Sequence, residues 1–145
     1  MKTKVLSETD ERTIALIFDA GDECIAGLTR FATDYNITAA RFQAIGAFRQ
    51  ATLGYFDLET KDYVKIPVNE QVEVVSLIGD IALDGSKPKV HAHAVLCKRD
   101  GSAHGGHLLA GYVRPTLEVL LIASPNHLAR KFNPAFGLAL IDVGG

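Results

Sequence analysis

A single stretch of helical periodicity, set among many strand-like segments, is what most constrains this fold. In "GDECIAGLTRFATDYN", Ile25, Leu28, Ala32 and Tyr35 recur at helical spacing. Asp22 or Asp19 can cap the start of that helix, and Asn36 suits its end. The rest reads as strand and turn. "TIALIFDA" (13–20) is β-branched and aromatic. "ITAARFQAIGAF" and "RQATLGYFDLET" follow the helix, and Gly46 suggests a bulge or a close approach between them. "KDYVKIPV" reads as a short edge strand, because Pro67 cannot donate to a ladder. "QVEVVSLIGDIAL" is a long apolar strand and "DGSKPK" a turn. Next come "VHAHAVLC", a turn at "KRDGSA", "GGHLLAG" and "VRPTLEVLLIA". The tail "SPNHLARKFNPAFGLALIDV" holds a loop or short helical turn, then a last strand after Asn133-Pro134. The class this predicts is α+β: a mostly antiparallel sheet of about seven strands, with one main helix packed on one face. One helix cannot cover so many apolar strands, so the other face is expected to be buried between subunits.

At 145 residues the chain is expected to form one domain, 1–145, with no linker or repeat inside it. Net charge is −2, and 15 Lys and Arg are scattered among 17 acids. The longest basic clusters are the pairs Lys98-Arg99 and Arg130-Lys131, which argues against a nucleic-acid reader. No run approaches the ~18 apolar residues of a membrane span. The start, "MKTKVLSETDERT", lacks the apolar region of a signal peptide. Cys24 and Cys97 make no disulfide framework. A cytoplasmic protein without a membrane partner is the expectation.

Four of the five histidines lie in "VHAHAVLCKRDGSAHGGHL" (90–108). On a strand, His91 and His93 point to one face with Cα atoms ~6.6 Å apart, and Ala92 and Ala94 occupy the other. That spacing lets both imidazoles converge on one ion at ~2.0–2.1 Å. The loop after Cys97 allows the chain to reverse, so that His107 can supply a third nitrogen. Gly105 and Gly106 then fit a bulge or tight backbone approach beside it. Three histidines with an open fourth position are the arrangement of a catalytic zinc, which acidifies its water to a pKa of ~7. Cys97 shares the face but lies ~13 Å beyond His93, too far to join. His104 reads as a loop residue and His127 as a surface residue. A cupin would place a glutamate shortly after His-x-His, where this chain has "AVLCKRDG". Spacing alone leaves two readings open, a metal site and a His-rich polar patch.

Two further residues stand out. Glu118 sits in the apolar "TLEVLLI", where a buried carboxylate needs a partner. It is a candidate catalytic base or an acceptor for a ligating imidazole, and an ion pair with Arg49 or Arg114 is the alternative. Arg49, in "GAFRQ", is a candidate binder of an anionic ligand, or else an inter-subunit salt bridge. Cys24 falls near the apolar face of the helix and reads as core.

Read together, "AIGAFRQATLGYF" (44–56), "VEVVSLIGDIAL" (72–83), the His-x-His strand, "GGHLLAG" and "TLEVLLI" resemble the plant-and-prokaryote-conserved (PPC) domain, in its stand-alone prokaryotic form. The resemblance spans nearly the whole chain. It implies an α+β domain, a homotrimer, and a metal site at His91, His93 and His107. Such proteins are often labelled predicted DNA-binding proteins. The Arg-Gly-Arg-Pro core of the AT-hook, which grips the minor groove in plant relatives, is absent here. Two functions follow as expectations. One is a zinc-binding homotrimer with a small-ligand or hydrolytic role. The other is a DNA-associated regulatory or scaffold protein with structural histidines.

Overall fold

The structure is a computed structural model; it describes residues 10–142, and residues 2–8 by their backbone. The elements, in chain order, are β1 (Lys2–Glu8), β2 (Arg12–Asp19), α1 (Cys24–Asp34), β3 (Ala39–Asp57), β4 (Asp62–Val68), β5 (Val72–Asp84), β6 (Lys87–Cys97), β7 (Ala103–Ala123), β8 (Ala129–Asn133) and β9 (Leu138–Asp142). The α+β expectation holds, with nine strands in one sheet among the described residues.

The helix forms where its periodicity predicts, but its cap differs. Glu23, rather than Asp22 or Asp19, accepts from the backbone N–H groups of Ile25 and Ala26. Its Oε1 also accepts from Gly111 N at 2.9 Å, so one carboxylate both caps α1 and ties it to β7. Asp22 instead accepts from Asp19 N and shapes the approach to the helix. Asn36 closes the helix in the left-handed region (φ 51), which Asn tolerates better than most residues. The helix buries Cys24, Gly27, Leu28, Phe31 and Ala32 against β6 and β7. Burial pushes the Cys24 thiol far up, as befits a core residue.

Two pairs of segments that read as separate strands are single long ones. β3 runs 19 residues through a pairing shift at Gly46 (φ 149). A Cβ on Gly46 would stand 2.4 Å from the Thr116 carbonyl oxygen, so β3 and β7 approach there only through glycine. β7 runs 21 residues across a cis Arg114–Pro115 bond. The expected loop lies at 124–128 and the Asn133-Pro134 turn leads into the last strand, β9, while an additional strand, β8, lies between them, paired antiparallel with β9 and parallel with β5. β4 pairs with β3 and carries Pro67, in keeping with an edge strand.

Length lets β3 and β7 each serve two sets of neighbours. The first half of β3 pairs with β5, β5 with β6, β6 with the start of β7, and that start with the end of β3. The sheet thereby closes on itself around Phe48, Leu53, Leu77, Leu96 and Leu108, while α1 covers one flank, its Leu28 and Phe31 joining Phe18 of β2 in the core. The opposite flank stays open, with Ile45 61%, Ile78 58%, Val75 56% and Leu120 46% exposed.

Candidate metal centre

β6 alternates as its sequence requires: Ala92, Ala94 and Leu96 are buried, and His91 and His93 point outward. Strand β7 lies alongside with His107 directly opposite His93. Gly106 is needed at this point, because a Cβ there would lie 2.9 Å from the Gly54 carbonyl oxygen. Gly105 has more room, so the tight approach rests on Gly106. On the other side, Gly79 pairs with Ala92, and a Cβ on it would be 2.4 Å from both the His91 carbonyl oxygen and the Phe42 ring.

The three imidazoles converge. His91 and His93 bring their Nε2 atoms to 3.2 Å, and one nitrogen from each of the three rings lies within 4.8 Å of the others. Two nitrogens bound to one tetrahedral zinc at ~2.05 Å stand about 3.3 Å apart, so the first pair already has metal-chelating geometry. His107 Nδ1 is buried and has no hydrogen-bond partner among the described residues. Burial, then the nearby His91 and His93, lower the His107 pKa to about 4, and burial with His91 also lowers that of His93. Both rings are therefore neutral at physiological pH, the form that ligates. The donor set fits zinc: three imidazole nitrogens with room for a further ligand.

A supporting shell surrounds the rings. Asp80, opposite His91 on β5, places Oδ2 3.5 Å from His91 Nδ1 and leaves Nε2 toward His93. Arg130 from β8, its side chain 6% exposed, donates through Nη2 to Asp80 Oδ1. Burial works to raise the Asp80 carboxyl, but the bond to His91 and the Arg130 charge overcome it, and the net direction is down. The Tyr63 ring lies against His107, centroids 4.8 Å apart. Beside the rings, the open flank of the sheet forms a concavity of about 670 Å³, whose lining includes Arg41, Gln43, Ile78, Asp80, His91 and His93.

The other candidates lie elsewhere. His104 is exposed on β7 rather than in a loop, outside the cluster. His127 is exposed, with Nδ1 2.7 Å from Thr38 Oγ1. Cys97 is outside the cluster, as its spacing required. Glu118 corrects the expectation of burial: it is exposed, because its position in the alternation of β7 faces the open flank. It pairs with Ile45 on β3, and β5 separates β3 from β6, so it stands three strands, ~14 Å, from the histidine strand. Arg49 is exposed and stacks over the Tyr112 ring at 5.3 Å to the centroid, outside the concavity. Asp80 and Arg130 escaped the reading of the sequence. The signal for Asp80, an acid inside the apolar "VSLIGDIAL", is the one that singled out Glu118.

Residues 5–125 match the description Plants and Prokaryotes Conserved (PCC) domain. The chain belongs to this family. A PPC protein of Pyrococcus horikoshii is 32% identical, with 92% of this chain and 93% of that one covered at a TM-score of 0.86. A protein of Archaeoglobus fulgidus described as metal-containing is 35% identical over 96% and 95% of the two chains, at a TM-score of 0.83. A candidate DNA-binding protein of Bacteroides thetaiotaomicron is 25% identical over 97% and 96%, at a TM-score of 0.87. No curated protein matches the chain. The family match stops short of β8 and β9, so Arg130 comes from outside the matched segment.

Proposed function

We propose that this PPC-family chain is a zinc-binding homotrimer in which His91, His93 and His107 hold one ion beside a small-ligand pocket. The observation that carries this reading is the convergence of three imidazole nitrogens, one from each histidine, within 4.8 Å of one another. The metal-containing relative from Archaeoglobus supports it. Zinc at this position would supply positive charge and Lewis acidity to a group bound in the concavity. The chain's own residues orient the site: Asp80 fixes the His91 ring, Tyr63 backs His107, and Ala92 and Ala94 seat the strand on the core. The exposed Ile45, Val75 and Val95 support a subunit contact beyond the concavity.

Metal analysis after purification from zinc-replete medium tests the reading. One zinc per chain is expected, with its loss in His93→Ala and its retention in His104→Ala. The His93 variant should stay folded, because its side chain lies outside the core. Absence of metal from the wild type, or full occupancy in His93→Ala, would overturn the ligand assignment. The DNA-associated reading draws on the Bacteroides relative. A tight, sequence-selective complex at physiological salt would put it first; weak, salt-sensitive binding is the expected result.

A further inference from the structure

The concavity beside the histidines has a definite chemical character. Its floor is made of cross-strand rows: Ile122, Arg41, Asp80 and His91 form one, and Leu120, Gln43, Ile78 and His93 the next. Neighbouring strands lie ~4.8 Å apart, so the four strands span ~14 Å. Ile78, Leu120 and Ile122 make much of this floor apolar. Its two charged side chains are not equivalent. Asp80 is taken up by Arg130 and His91. Arg41, directly opposite Asp80 on β3, is exposed and has no ion-pair or hydrogen-bond partner among the described residues. One uncommitted guanidinium therefore faces the space, and Gln43 and Thr13 add neutral polar groups.

We infer that this concavity binds a small monocarboxylate with an apolar body, the carboxylate on Arg41 and the body over Ile78, Leu120 and Ile122. A guanidinium matches a carboxylate with two parallel hydrogen bonds. The single uncommitted cation fits one negative charge, and the fixed Asp80 carboxylate opposes a second. The apolar floor disfavours a sugar or a polyphosphate, whose hydroxyls and charges would lose water without replacement. About 670 Å³ falls within the usual ~300–1,000 Å³ of small-molecule sites. Arg41 thus takes the anion-binding role that the sequence suggested for Arg49. The inference deepens the proposed ligand pocket and rests on that reading, while the carboxylate contact itself needs no metal.

Calorimetric titration of the zinc-loaded and the chelator-treated full chain with 4-phenylbutyrate, acetate and 4-phenylbutylamine tests it. 4-Phenylbutyrate should bind saturably to both forms. Acetate should bind at least tenfold more weakly, since it leaves the apolar floor uncovered, and the amine should not bind. Arg41→Gln should weaken 4-phenylbutyrate at least tenfold while its zinc content stays at the wild-type level. The inference falls if the amine binds as well as the acid, if Arg41→Gln binds unchanged, or if the wild type binds none of the three. It also falls if binding appears only on dissociation to monomers, because the floor is then a contact with a second copy. Loss of zinc from the wild type with 4-phenylbutyrate binding intact would count against the metal reading alone.

Discussion

Of the three histidines, His107 is the one whose pKa burial lowers furthest, and its environment sets how the site responds to acid. An unfolded chain titrates histidine near ~6.5, whereas His107 in the fold titrates at about 4. Between those values the unfolded state binds a proton that the folded state rejects, so folding weakens as pH falls. This contribution is complete above about 6.5 and is lost as pH falls through about 4; the lowered His93 acts in the same direction. Thermal melts of chelator-treated protein should show Tm falling from pH 7.5 to pH 4.5, and less steeply in His107→Gln. An unchanged slope in that variant would mean that other groups carry the acid response. The metal-loaded protein should also shed zinc across this range, because protons compete for the same nitrogens.

At the scale of elements, β8 brings Arg130 to the site from outside the family-matched segment. Arg130 holds Asp80, and Asp80 holds His91, so the hairpin of β8 and β9 reaches the proposed metal site through two intermediates. Asp80→Asn should weaken zinc binding roughly 10–100-fold, as loss of an acceptor behind a ligating histidine commonly does. Arg130→Met should weaken it by less, since Asp80 keeps its place on β5. Competition with a chromophoric chelator measures both, and wild-type affinity in Asp80→Asn would contradict the relay. His91, His93 and His107 could be read because period-two alternation and one chain reversal bring them together. The helix could be read because Ile25, Leu28 and Ala32 share a face, but its cap could not, since Glu23 is selected by a contact to Gly111 on a distant strand. Gly46 marked its bulge, yet the continuity of β3 through it depends on pairing with β5 and β7. Nothing local in "LARKFN" points to Asp80, fifty residues earlier. Sequence order carries local periodicity well and tertiary pairing poorly.

For the whole molecule, closure of the sheet puts the helix on one flank and leaves Ile45, Val75 and Val95 exposed on the other, beyond the concavity. Exposed apolar patches of this kind mark interaction surfaces in soluble proteins. The proposed trimer should appear by light scattering at about three times the 15.6 kDa chain mass. Ile45→Glu combined with Val75→Glu should shift it toward monomer, and a wild type that stays monomeric at micromolar concentration would remove the interface. Zinc K-edge X-ray absorption on the wild-type protein reads the ligand set of the proposed metal site itself. Three imidazole nitrogens at ~2.0–2.1 Å are expected, with further nitrogen or oxygen completing the shell and no sulfur. A sulfur scatterer at ~2.3 Å, which would bring Cys97 into the site, or a first shell without imidazole would contradict it.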